Sequence, residues 1–355
     1  MVQAGWPVRS RAGWLWALRD NPARLALSPH APLGWVLCDG QRLVGYLGNL
    51  PQQYRCQGQE LMGVTCTSYI VLPEARAHSA SLMRALFTQI GVDLVYTTTA
   101  NQHSGPVYQL YKARGLDDLG LHETRVWVGD IRATAYKALD KLHLGWMKPC
   151  VPMLAPVLRL AHQWSGLARP PSSGFVGQVH AVAPPDIGDP FDQLWQQMQD
   201  QPGLWLDRRA ATLRWRLSDP DQPGLSLLAA QDANGLAGWI ISTRYQGDPS
   251  LAGRRYVLDL AWRPGCPEAV GALLQAVCDQ ACAEGLALVE AFRFAGPLGT
   301  ALAQQGGHVR KVPGASHWVR HLARRSDYPV KADTPWALGG MDGDFWFGLV
   351  PKQTA

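Results

Sequence analysis

Hydrophobic and polar positions between Gly34 and about Val128 follow patterns that predict strands and helices in a definite order. GWVLCDGQRLVGYLGNL reads as two strands joined at Asp39-Gly40, a dipeptide typical of hairpin turns. ELMGVTCTSYIVL predicts a strand that ends at Pro73. In SASLMRALFTQI, apolar residues recur at helical spacing and predict one apolar face formed by Leu82, Met83, Leu86, Phe87 and Ile90.

Three further elements complete this first run. VDLVYTTTA predicts a strand, GPVYQLYKARG a short helix closed by Gly115, and ETRVWVGD a final strand. From about Val176 a second run has a similar order. Its predicted elements are the helices PFDQLWQQMQD and DRRAATLRWRLSDP, the strands LSLLAAQD, GLAGWIISTRY and RRYVLDLAW, the helix PEAVGALLQAVCDQACAEG, the strand LALVEAF and the helix PLGTALAQQG. Two halves with one element order indicate an internal duplication and predict an α+β fold.

Residues 133–175 differ from both runs. They mix apolar stretches with basic side chains and close on a linker rich in Pro, Ser and Gly. One interpretation is an amphipathic segment that lies on a membrane surface, and the other is a helical connector packed between two domains. The connector is favoured because Pro149, Pro152 and Pro156 would interrupt a long helix. We therefore expect a first domain over 1–132, a connector over 133–180, a second domain over 181–325 and a tail over 326–355.

Composition narrows the class of protein. Hydrophobic residues make up 47% of the 355-residue chain and charged residues 17%, which indicates a globular protein. The net charge of +5 suits anionic ligands or a membrane surface without demanding nucleic acid. Seven cysteines without a CxxC pair predict reduced thiols and no metal site. With no signal-peptide pattern and no run of apolar residues long enough to span a bilayer, we expect a cytoplasmic protein, with the inner face of the membrane left open.

The element order, with VLPEARAHSASLMRAL after the central strand, resembles the GNAT N-acetyltransferase superfamily over roughly 34–130, and more faintly over 185–322. The resemblance implies two GNAT-like domains, each a mixed, mostly antiparallel sheet flanked by helices. In that family, a turn of the form V-x-P-x-x-R-G-x-G-x-G leads into a helix whose first amides hold the pyrophosphate of acetyl-CoA. Serines stand here at glycine positions of that turn. The matching residues implied as cofactor-binding are Arg76, Ala77, His78, Ser79, Ala80 and Ser81.

The resemblance also implies catalytic and cofactor-binding groups outside this turn. A bulge amide near Ile70 or Val71 would bind the oxyanion of the thioester. TTTANQHSGPVYQLYKARGL resembles the family's strand-Asn-helix-Y-x-x-x-G-F ending, which implies that Asn101 contacts the pantetheine arm and that Tyr111 protonates the departing thiolate. Tyr108, one helical turn earlier, is the second candidate for that proton transfer. A phenol with a pKa of about 10 is a suitable acid for a CoA thiolate.

Purely structural interpretations of the same residues stay open. The serines suit the start of a helix, Asn101 can simply end a strand, and Tyr111 can be an amphipathic aromatic at a helix edge. No general base stands out, because Thr67 and Ser68 occupy the place where many such enzymes carry an acid. Glu60, Glu123 or a water relay are the remaining options.

Several other segments carry weaker signals. The second half lacks both the R-x-x-G-x-G pattern in AWRPGCPEAVGALL and a tyrosine in its last helix, so we expect a degenerate domain that supplies acceptor contacts or stability. The acidic DGDFW at Asp342–Trp346 offers too few ligands for a metal site. Arg214 and Arg216 flank Trp215 in a pattern that fits an anion site or, preferably, a surface cation–π stripe.

The resulting hypothesis is an N-acyltransferase that moves an acetyl or other acyl group from acyl-CoA to an amine. Its expected partners are acyl-CoA and a small amine-bearing acceptor, for example an amino sugar in surface polysaccharide biosynthesis, with contact to a membrane or to polysaccharide machinery left open and no nucleic acid. One alternative is a non-catalytic GNAT-derived scaffold, favoured by the serines. The other is tRNA-dependent aminoacyl transfer of the peptidoglycan-bridge type, which the weak net charge disfavours.

Overall fold

The computed structural model of the chain describes residues 9–116, 121, 123–153, 170–171, 173–198, 200–222, 224–244, 253–292, 294–311, 316–322, 327–331 and 333–344. The strands in these ranges form two mixed sheets. Their bounds are β1 Gly34–Asp39, β2 Arg42–Cys56, β3 Gln59–Val71, β4 Leu94–Ala100, β5 Arg114–Gly115, β6 Glu123–Val128, β7 Gln178–Val182, β8 Leu204–Leu206, β9 Leu225–Asp232, β10 Gly235–Arg244, β11 Arg254–Trp262, β12 Leu288–Phe292, β13 His308–Lys311, β14 Ser316–His321 and β15 Trp336–Ala337.

Helices flank both sheets. In the described ranges, the 3₁₀ segments Pro73–His78, Gly145–Cys150 and Pro184–Asp186 and a π-helical turn at Leu15–Arg19 accompany the α-helices. The α-helices are α1 Arg11–Trp14, α2 Pro22–Leu27, α3 Ser79–Phe87, α4 Gly105–Leu110, α5 Ile131–Lys141, α6 Asp189–Gln197, α7 Ala210–Leu217, α8 Glu268–Ala283 and α9 Gly296–Ala303.

The two sheets share one plan. The first has the strand order β15-β8-β2-β3-β4-β14-β5, with β1 paired to β2, and the second has the order β13-β6-β12-β11-β10-β9-β7. In each, the strand before a long helix pairs in parallel with the strand after it, β3 with β4 and β11 with β12, while most other pairs are antiparallel. The predicted fold class, an α+β architecture with two mixed and mostly antiparallel sheets flanked by helices, is confirmed.

Local sequence accounts for most of these elements. Leu82, Met83, Leu86 and Phe87 of α3 are buried against the first sheet, as their spacing predicts. Ile90 lies beyond the last helical residue and is 96% exposed, so the predicted apolar face was one residue too long. The helix α4 was predicted to close at Gly115 but ends at Leu110, and Gly115 belongs to the short strand β5 instead.

The sheets exchange strands. Glu123–Val128 was expected to be the last strand of the first run, yet β6 pairs with β12 and β13 in the second sheet. The reciprocal strand β14 lies between β4 and β5 in the first sheet. Each half thereby satisfies hydrogen-bonding edges that the other half leaves open. The proposed division into domains 1–132 and 181–325 stays a prediction, and strand pairing runs across it.

The segment after β6 begins as a helix on the second sheet. The first two turns of α5 contact the second sheet: Ile131 and Ala133 pack against it, Thr134 donates its hydroxyl to the carbonyl oxygen of Ala287 over 2.8 Å, and the Lys137 side chain reaches Gly253. Neither α5 nor the 3₁₀ helix Gly145–Cys150 contains a buried residue. Among the described residues, no helix combines the length and apolar character that crossing a bilayer requires.

Candidate active site

The central parallel strands of the first sheet separate after a short contact. Strands β3 and β4 pair only at Gly63 with Leu94, Val64 with Val95 and Thr65 with Tyr96. From there β3 continues along β2, and β4 continues along β14. A V-shaped gap, here called the β3–β4 opening, therefore begins at Cys66 and Thr97. Backbone groups that face this gap are not used by the ladder between the two strands.

A β-bulge lies beside this gap. Thr67 pairs with Gly48, and the next pair joins Ile70 to Tyr46, so Ser68 and Tyr69 together face one residue of β2. Ser68 has a φ of 57°, which is unusual for a residue with a side chain. The bulge was expected near Ile70 or Val71, but both of those residues are regularly paired with β2. The bulge therefore lies directly before the two predicted residues, and side-chain alternation does not reveal strand register more closely than this.

A tyrosine and a cysteine meet on the helical side of the opening. The Tyr108 hydroxyl on α4 lies 3.0 Å from Sγ of Cys66, and Thr97 is a further hydrogen-bond partner of this hydroxyl. Burial raises the pKa of Cys66 to about 12 and holds the pKa of Tyr108 well above its usual value. Both groups therefore stay protonated at neutral pH. The second tyrosine candidate occupies a different position.

The Tyr111 hydroxyl is bound to the first turn of α3. It donates to the carbonyl oxygen of Ala80 over 3.1 Å, and its ring stacks on Phe87 with 4.5 Å between centroids. Tyr69 makes a similar bond, donating to the carbonyl oxygen of Ser79 over 3.2 Å. These two tyrosines tie the bulged strand and the end of α4 to the start of α3. Of the two catalytic candidates, Tyr108 therefore has its hydroxyl at the opening, and Tyr111 has its hydroxyl at the helix start.

The residues predicted to hold the pyrophosphate form a helical turn. Residues from Pro73 to His78 are a 3₁₀ helix that leads directly into α3. In such a helix each amide bonds the carbonyl three residues back, so this is not an open loop of free amides. Ser79 is half-buried, its amide donating to Arg76, and Ser81 donates its hydroxyl to His78 over 2.7 Å. The side chains that are exposed belong to Arg76, Ala77, His78, Ala80 and Ser81.

Asn101 organises the turn between β4 and α4. Its Oδ1 accepts the backbone amides of His103 and Ser104 over 2.9 and 3.0 Å. The Ser104 hydroxyl accepts the Asn101 amide in return, over 3.0 Å. This is the turn-forming role expected of an asparagine at the end of a strand, and it places the residue at the rim of the opening.

A segment near the C-terminus crosses both sheets. In the second sheet, Met341 donates its amide to Leu258, and Leu338 accepts the amide of Ala295, each within 3.1 Å. These bonds fill the space where β11 and β12 diverge beyond Val257 and Ala291. The counterpart of the β3–β4 opening in the second half is therefore occupied by the chain itself.

The same segment continues to the β3–β4 opening. Gly343 donates its amide to the Tyr96 hydroxyl over 3.0 Å, and Thr98 donates its hydroxyl to the carbonyl of Asp342 over 3.3 Å. Thr99 then donates to the Asp344 carboxylate over 2.5 Å. The charge of Asp344 helps to raise the pKa values of Cys66 and Tyr108, in each case after the larger effect of burial. A carboxylate thus lies within electrostatic reach of the thiol and the phenol.

Asp342 is buried where the two sheets meet. Its carboxylate accepts the Tyr54 hydroxyl over 3.0 Å and the Gly339 amide over 2.8 Å. The pKa of Asp342 is raised to about 6, mainly by burial. The nearby Asp259 carboxylate acts in the same direction, and two buried arginines oppose the shift. One of those arginines, Arg208, makes a 2.7 Å ion pair with Asp259.

The second of the two buried arginines is Arg216, which belongs to the Arg214-Trp215-Arg216 motif. Arg216 is buried, with its Nη1 3.6 Å from Asp259. Trp215 stacks on Trp16 with 4.8 Å between centroids, and Arg214 donates to the carbonyl oxygen of Ile187. The expected surface cation–π stripe is therefore wrong, because helix packing buries two of its three members.

The other acidic candidates lie away from the opening. Glu60 is near the start of β3 and pairs with Arg209 over 3.2 Å, and Glu123 opens a strand of the second sheet. The acidic segment Asp342–Trp346 carries no catalytic motif in the sequence, and the described residues hold no cluster of ligands suited to a metal. The sign in the sequence that points to Asp344 is the pair of aspartates in Asp342-Gly343-Asp344. The sequence does not show that they reach the central strands.

No protein-family model matches the sequence, and no curated protein sequence matches it. Solved structures do. A GCN5-related N-acetyltransferase from Anabaena variabilis aligns with a TM-score of 0.51 at 14% identity, over 81% of this chain and 62% of that one. A probable N-acyltransferase from Enterococcus faecalis aligns with a TM-score of 0.51 at 13% identity, over 88% of this chain and 70% of that one. This chain has the GNAT fold.

A third structure with the GNAT fold extends the comparison. N-myristoyltransferase of Saccharomyces cerevisiae, solved with bound myristoyl-CoA and inhibitors, aligns with a TM-score of 0.50 at 13% identity, over 88% of this chain and 72% of that one. The chain spans about three fifths of the length of the Anabaena protein. At these identities the likeness establishes the GNAT fold, and the chemistry of this chain depends on its own residues.

Proposed function

We propose that this protein is an N-acyltransferase that takes an acyl group from acyl-CoA and transfers it to an amine at the β3–β4 opening. One observation carries the proposal. The opening holds a buried tyrosine hydroxyl next to a sulfur atom, Tyr108 with Cys66, within electrostatic reach of the Asp344 carboxylate. A proton donor and a proton acceptor beside diverging strands are what aminolysis of a thioester requires. The GNAT fold and its acyltransferase relatives support the same class of reaction.

Asp344 is the proposed general base. An ammonium acceptor must lose a proton before its nitrogen can attack the thioester carbonyl carbon. The Asp344 carboxylate takes that proton directly or through one water, and the hydrogen bond from Thr99 keeps the carboxylate in place. As the C–N bond forms, the carbonyl oxygen becomes negative. The amides of the Ser68–Tyr69 bulge are the proposed donors to that oxygen.

Tyr108 is the proposed acid. When the C–S bond breaks, its electron pair goes to sulfur, and the thiolate takes the Tyr108 proton. The acylated nitrogen gives up its extra proton at this stage, and that proton returns through solvent to the Tyr108 phenolate. Burial raises the pKa of the neighbouring Cys66 thiol to about 12, and a leaving thiolate in the same buried surroundings would likewise be a strong base. Burial likewise keeps Tyr108 protonated, so a proton is available before each turnover. Tyr111 is proposed to position the start of α3 through its bond to Ala80.

The CoA part of the substrate is assigned to the rim of the opening. We place its phosphates at the exposed side chains of Arg76, His78 and Ser81 and at the backbone around Ala77, Ser79 and Ala80. The pantetheine arm would then run past Asn101 toward the gap between Val71 and Ala100. The acetyl group is the simplest acyl group, and an amino sugar of surface polysaccharide biosynthesis is the proposed acceptor.

A non-catalytic GNAT-derived scaffold is the second candidate. The observation in its favour is the 3₁₀ helix Pro73–His78, which uses backbone amides that an open phosphate loop would offer to a ligand. In that case the protein binds acyl-CoA weakly or not at all. Measurements of acyl-CoA binding and of turnover distinguish the enzyme from the non-catalytic scaffold.

The test compares Asp344→Asn with wild type. CoA release from acetyl-CoA is followed with a thiol-reactive dye, against a panel of amino sugars and simple amines. Loss of the base is expected to lower kcat by roughly 100-fold or more while acetyl-CoA affinity changes little. The loss should shrink at alkaline pH, where the amine is already neutral. Binding without release of CoA for every amine would favour the scaffold.

A further inference from the structure

We infer that a cavity between the two halves of the chain binds a small organic molecule through a carboxylate group. This cavity, here called the α2–α7 cavity, has a volume of about 540 Å³, which is in the range of small-molecule sites. Helix α2 and strand β2 form one side of it, and α6 together with residues 207–214 forms the other. Arg55 in its wall lies opposite Glu60 near the start of β3, whereas the β3–β4 opening begins at Cys66, about 20 Å further along the strand. The inference therefore does not depend on the proposed reaction.

Arg55 is held in the wall of this cavity by Trp195. The guanidinium carbon lies 4.7 Å from the centroid of the Trp195 ring, and Nη1 donates to the carbonyl oxygen of Trp195 over 3.3 Å. Trp195 is buried, so the surface on which Arg55 stacks is fixed, while Arg55 itself is half-buried. The bond to Trp195 uses one nitrogen of the guanidinium, and its other N–H groups can donate to a ligand.

Arg214 reaches the same cavity from α7. Ala211 and Arg214 are three residues apart and therefore lie on one face of this helix, and both line the cavity. Nη1 of Arg214 donates to the carbonyl oxygen of Ile187 over 2.6 Å, which again uses one nitrogen of the guanidinium. Among the residues that the structure describes, no carboxylate forms an ion pair with Arg214 or with Arg55.

The third arginine of the cavity is neutralised inside the protein. Nε of Arg209 donates to Asp207 over 2.8 Å, and Asp207 also accepts the Thr212 hydroxyl. Arg209 further donates to Gln53 over 2.8 Å and pairs with Glu60 over 3.2 Å. The Glu60 side chain does not line the cavity and is more than half exposed, so solvent screens its charge. This network is complete without a ligand, in contrast to the surroundings of the other two arginines.

The balance of charge favours a ligand with a single negative charge. The cavity is lined by three arginines and two aspartates, which is an excess of one positive charge. The second aspartate, Asp192, accepts the Ala210 amide over 2.8 Å and keeps its charge in the wall. A phosphate dianion would exceed the excess and face both aspartates. Pro22, Ala26 and Ala211 form an apolar part of the wall, which suits a short apolar body attached to the carboxylate.

The surroundings of Arg55 favour an anion at this place. Burial lowers the pKa of Arg55, and the charge of Arg209 acts in the same direction. Glu60 and Asp207 raise this pKa and oppose the shift only in part. An anion in the cavity would therefore stabilise the charged guanidinium. A carboxylate fits its planar edge with two parallel hydrogen bonds.

The test is a titration of the full chain with 4-methylpentanoate and with benzoate, followed by saturation-transfer NMR. Each acid is compared with its neutral amide, 4-methylpentanamide or benzamide, at constant ionic strength. The acids are expected to bind saturably and the amides about tenfold or more weakly, because an amide lacks the charge that pairs with the arginines. Inorganic phosphate should compete with the acids less well than either acid competes with the other. Added acetyl-CoA should not displace them.

Four variants locate the binding. Arg55→Gln and Arg214→Gln should each weaken binding of the acids by about tenfold or more. Asp192→Asn keeps an oxygen for the Ala210 amide but removes a negative charge from the wall, so it should strengthen binding severalfold. Arg132→Gln removes an exposed arginine on α5, outside the cavity, and should bind like wild type. Arg214 and Arg132 are both exposed, so these two variants should keep the melting temperature of wild type.

Several results would overturn the inference. One is the absence of saturable binding for both acids, and another is equal binding of the acids and their amides. Unchanged binding in Arg214→Gln would place the carboxylate elsewhere, and an equal loss in Arg132→Gln would mean that only the overall charge matters. Phosphate that competes better than the acids would assign the cavity to a dianion instead.

Discussion

Burial sets the chemistry of single residues at the β3–β4 opening. Cys66 and Tyr108 are both buried and lie within hydrogen-bonding distance, and neither ionises near neutral pH. A neutral thiol is a poor nucleophile, so the proposed reaction uses direct attack by the amine and no acyl-cysteine intermediate. In the proposed reaction, Tyr108 supplies the proton to the leaving sulfur.

The two tyrosines should differ sharply on substitution. Tyr108→Phe is expected to lower kcat by about 100-fold with little change in KM, because the proposed acid acts only as the C–S bond breaks. Tyr111→Phe is the control, and it should cost about 1 kcal/mol of stability through the lost bond to Ala80 and less than a fewfold in kcat. Steady-state measurements of kcat and KM for both variants and wild type test this difference. A larger loss of kcat in Tyr111→Phe would transfer the acid role to that residue.

Asp342 should make stability depend on pH. Its pKa rises from the usual value near 4 when unfolded to about 6 when folded, so the folded protein binds this proton more tightly. The resulting stabilisation is complete below roughly pH 4 and is lost as pH rises through 6, by up to about 3 kcal/mol. The variant Asp342→Asn has no titrating group at this position, so its stability does not fall for this reason. Urea unfolding measures the free energy of unfolding of both proteins. As the pH rises over this range, the value for wild type should fall relative to the value for Asp342→Asn. Parallel curves would contradict the buried placement of Asp342.

At the scale of elements, the sequence predicts helices and strands more reliably than their partners. The apolar spacing of Leu82, Met83 and Leu86 correctly predicts α3, since a local periodicity determines which face is buried. The pairing of β6 with β12 and the path of Leu338–Asp344 were missed, and the bulge was predicted only approximately. These features depend on contacts between residues far apart in the chain, and no local pattern encodes them.

The path of the C-terminal segment past Thr98 should depend on Gly343. Gly343 has a φ of 79°, and a Cβ there would lie 2.3 Å from Oγ1 of Thr98. Gly40→Ala is the matched control, because Gly40 has a φ of 58° with nothing within 4 Å of the added Cβ. Gly343→Ala should destabilise the protein by about 1–3 kcal/mol more than the control does. Equal costs in thermal unfolding would mean that the segment does not lie against Thr98.

At the scale of the whole molecule, the exchange of β6 and β14 joins the two sheets. Removing either strand exposes ladder edges in a sheet made mainly by the other half. The buried group of Asp342, Arg208 and Arg216 adds contacts where the sheets meet. The two halves therefore depend on each other for folding, although their element orders repeat.

This dependence predicts one cooperative unfolding transition for the full chain. Calorimetry should give a single peak whose calorimetric and van't Hoff enthalpies agree. Residues 1–311 expressed alone lack β14, which pairs with both β4 and β5, and should show no such transition. Two separated transitions in the full chain would show that the sheets fold independently in spite of the exchange.

The central claim, an acyl-CoA site at the β3–β4 opening, is tested most directly by calorimetric titration of acetyl-CoA into the full chain. Saturable binding is expected, weakened about tenfold or more by Ser81→Glu, because an added negative charge at the start of α3 opposes the phosphates. Ala138→Glu adds the same charge at an exposed site on α5 and should bind like wild type. Absence of binding at millimolar acetyl-CoA, where an affinity of about −4 kcal/mol would still register, would contradict the claim.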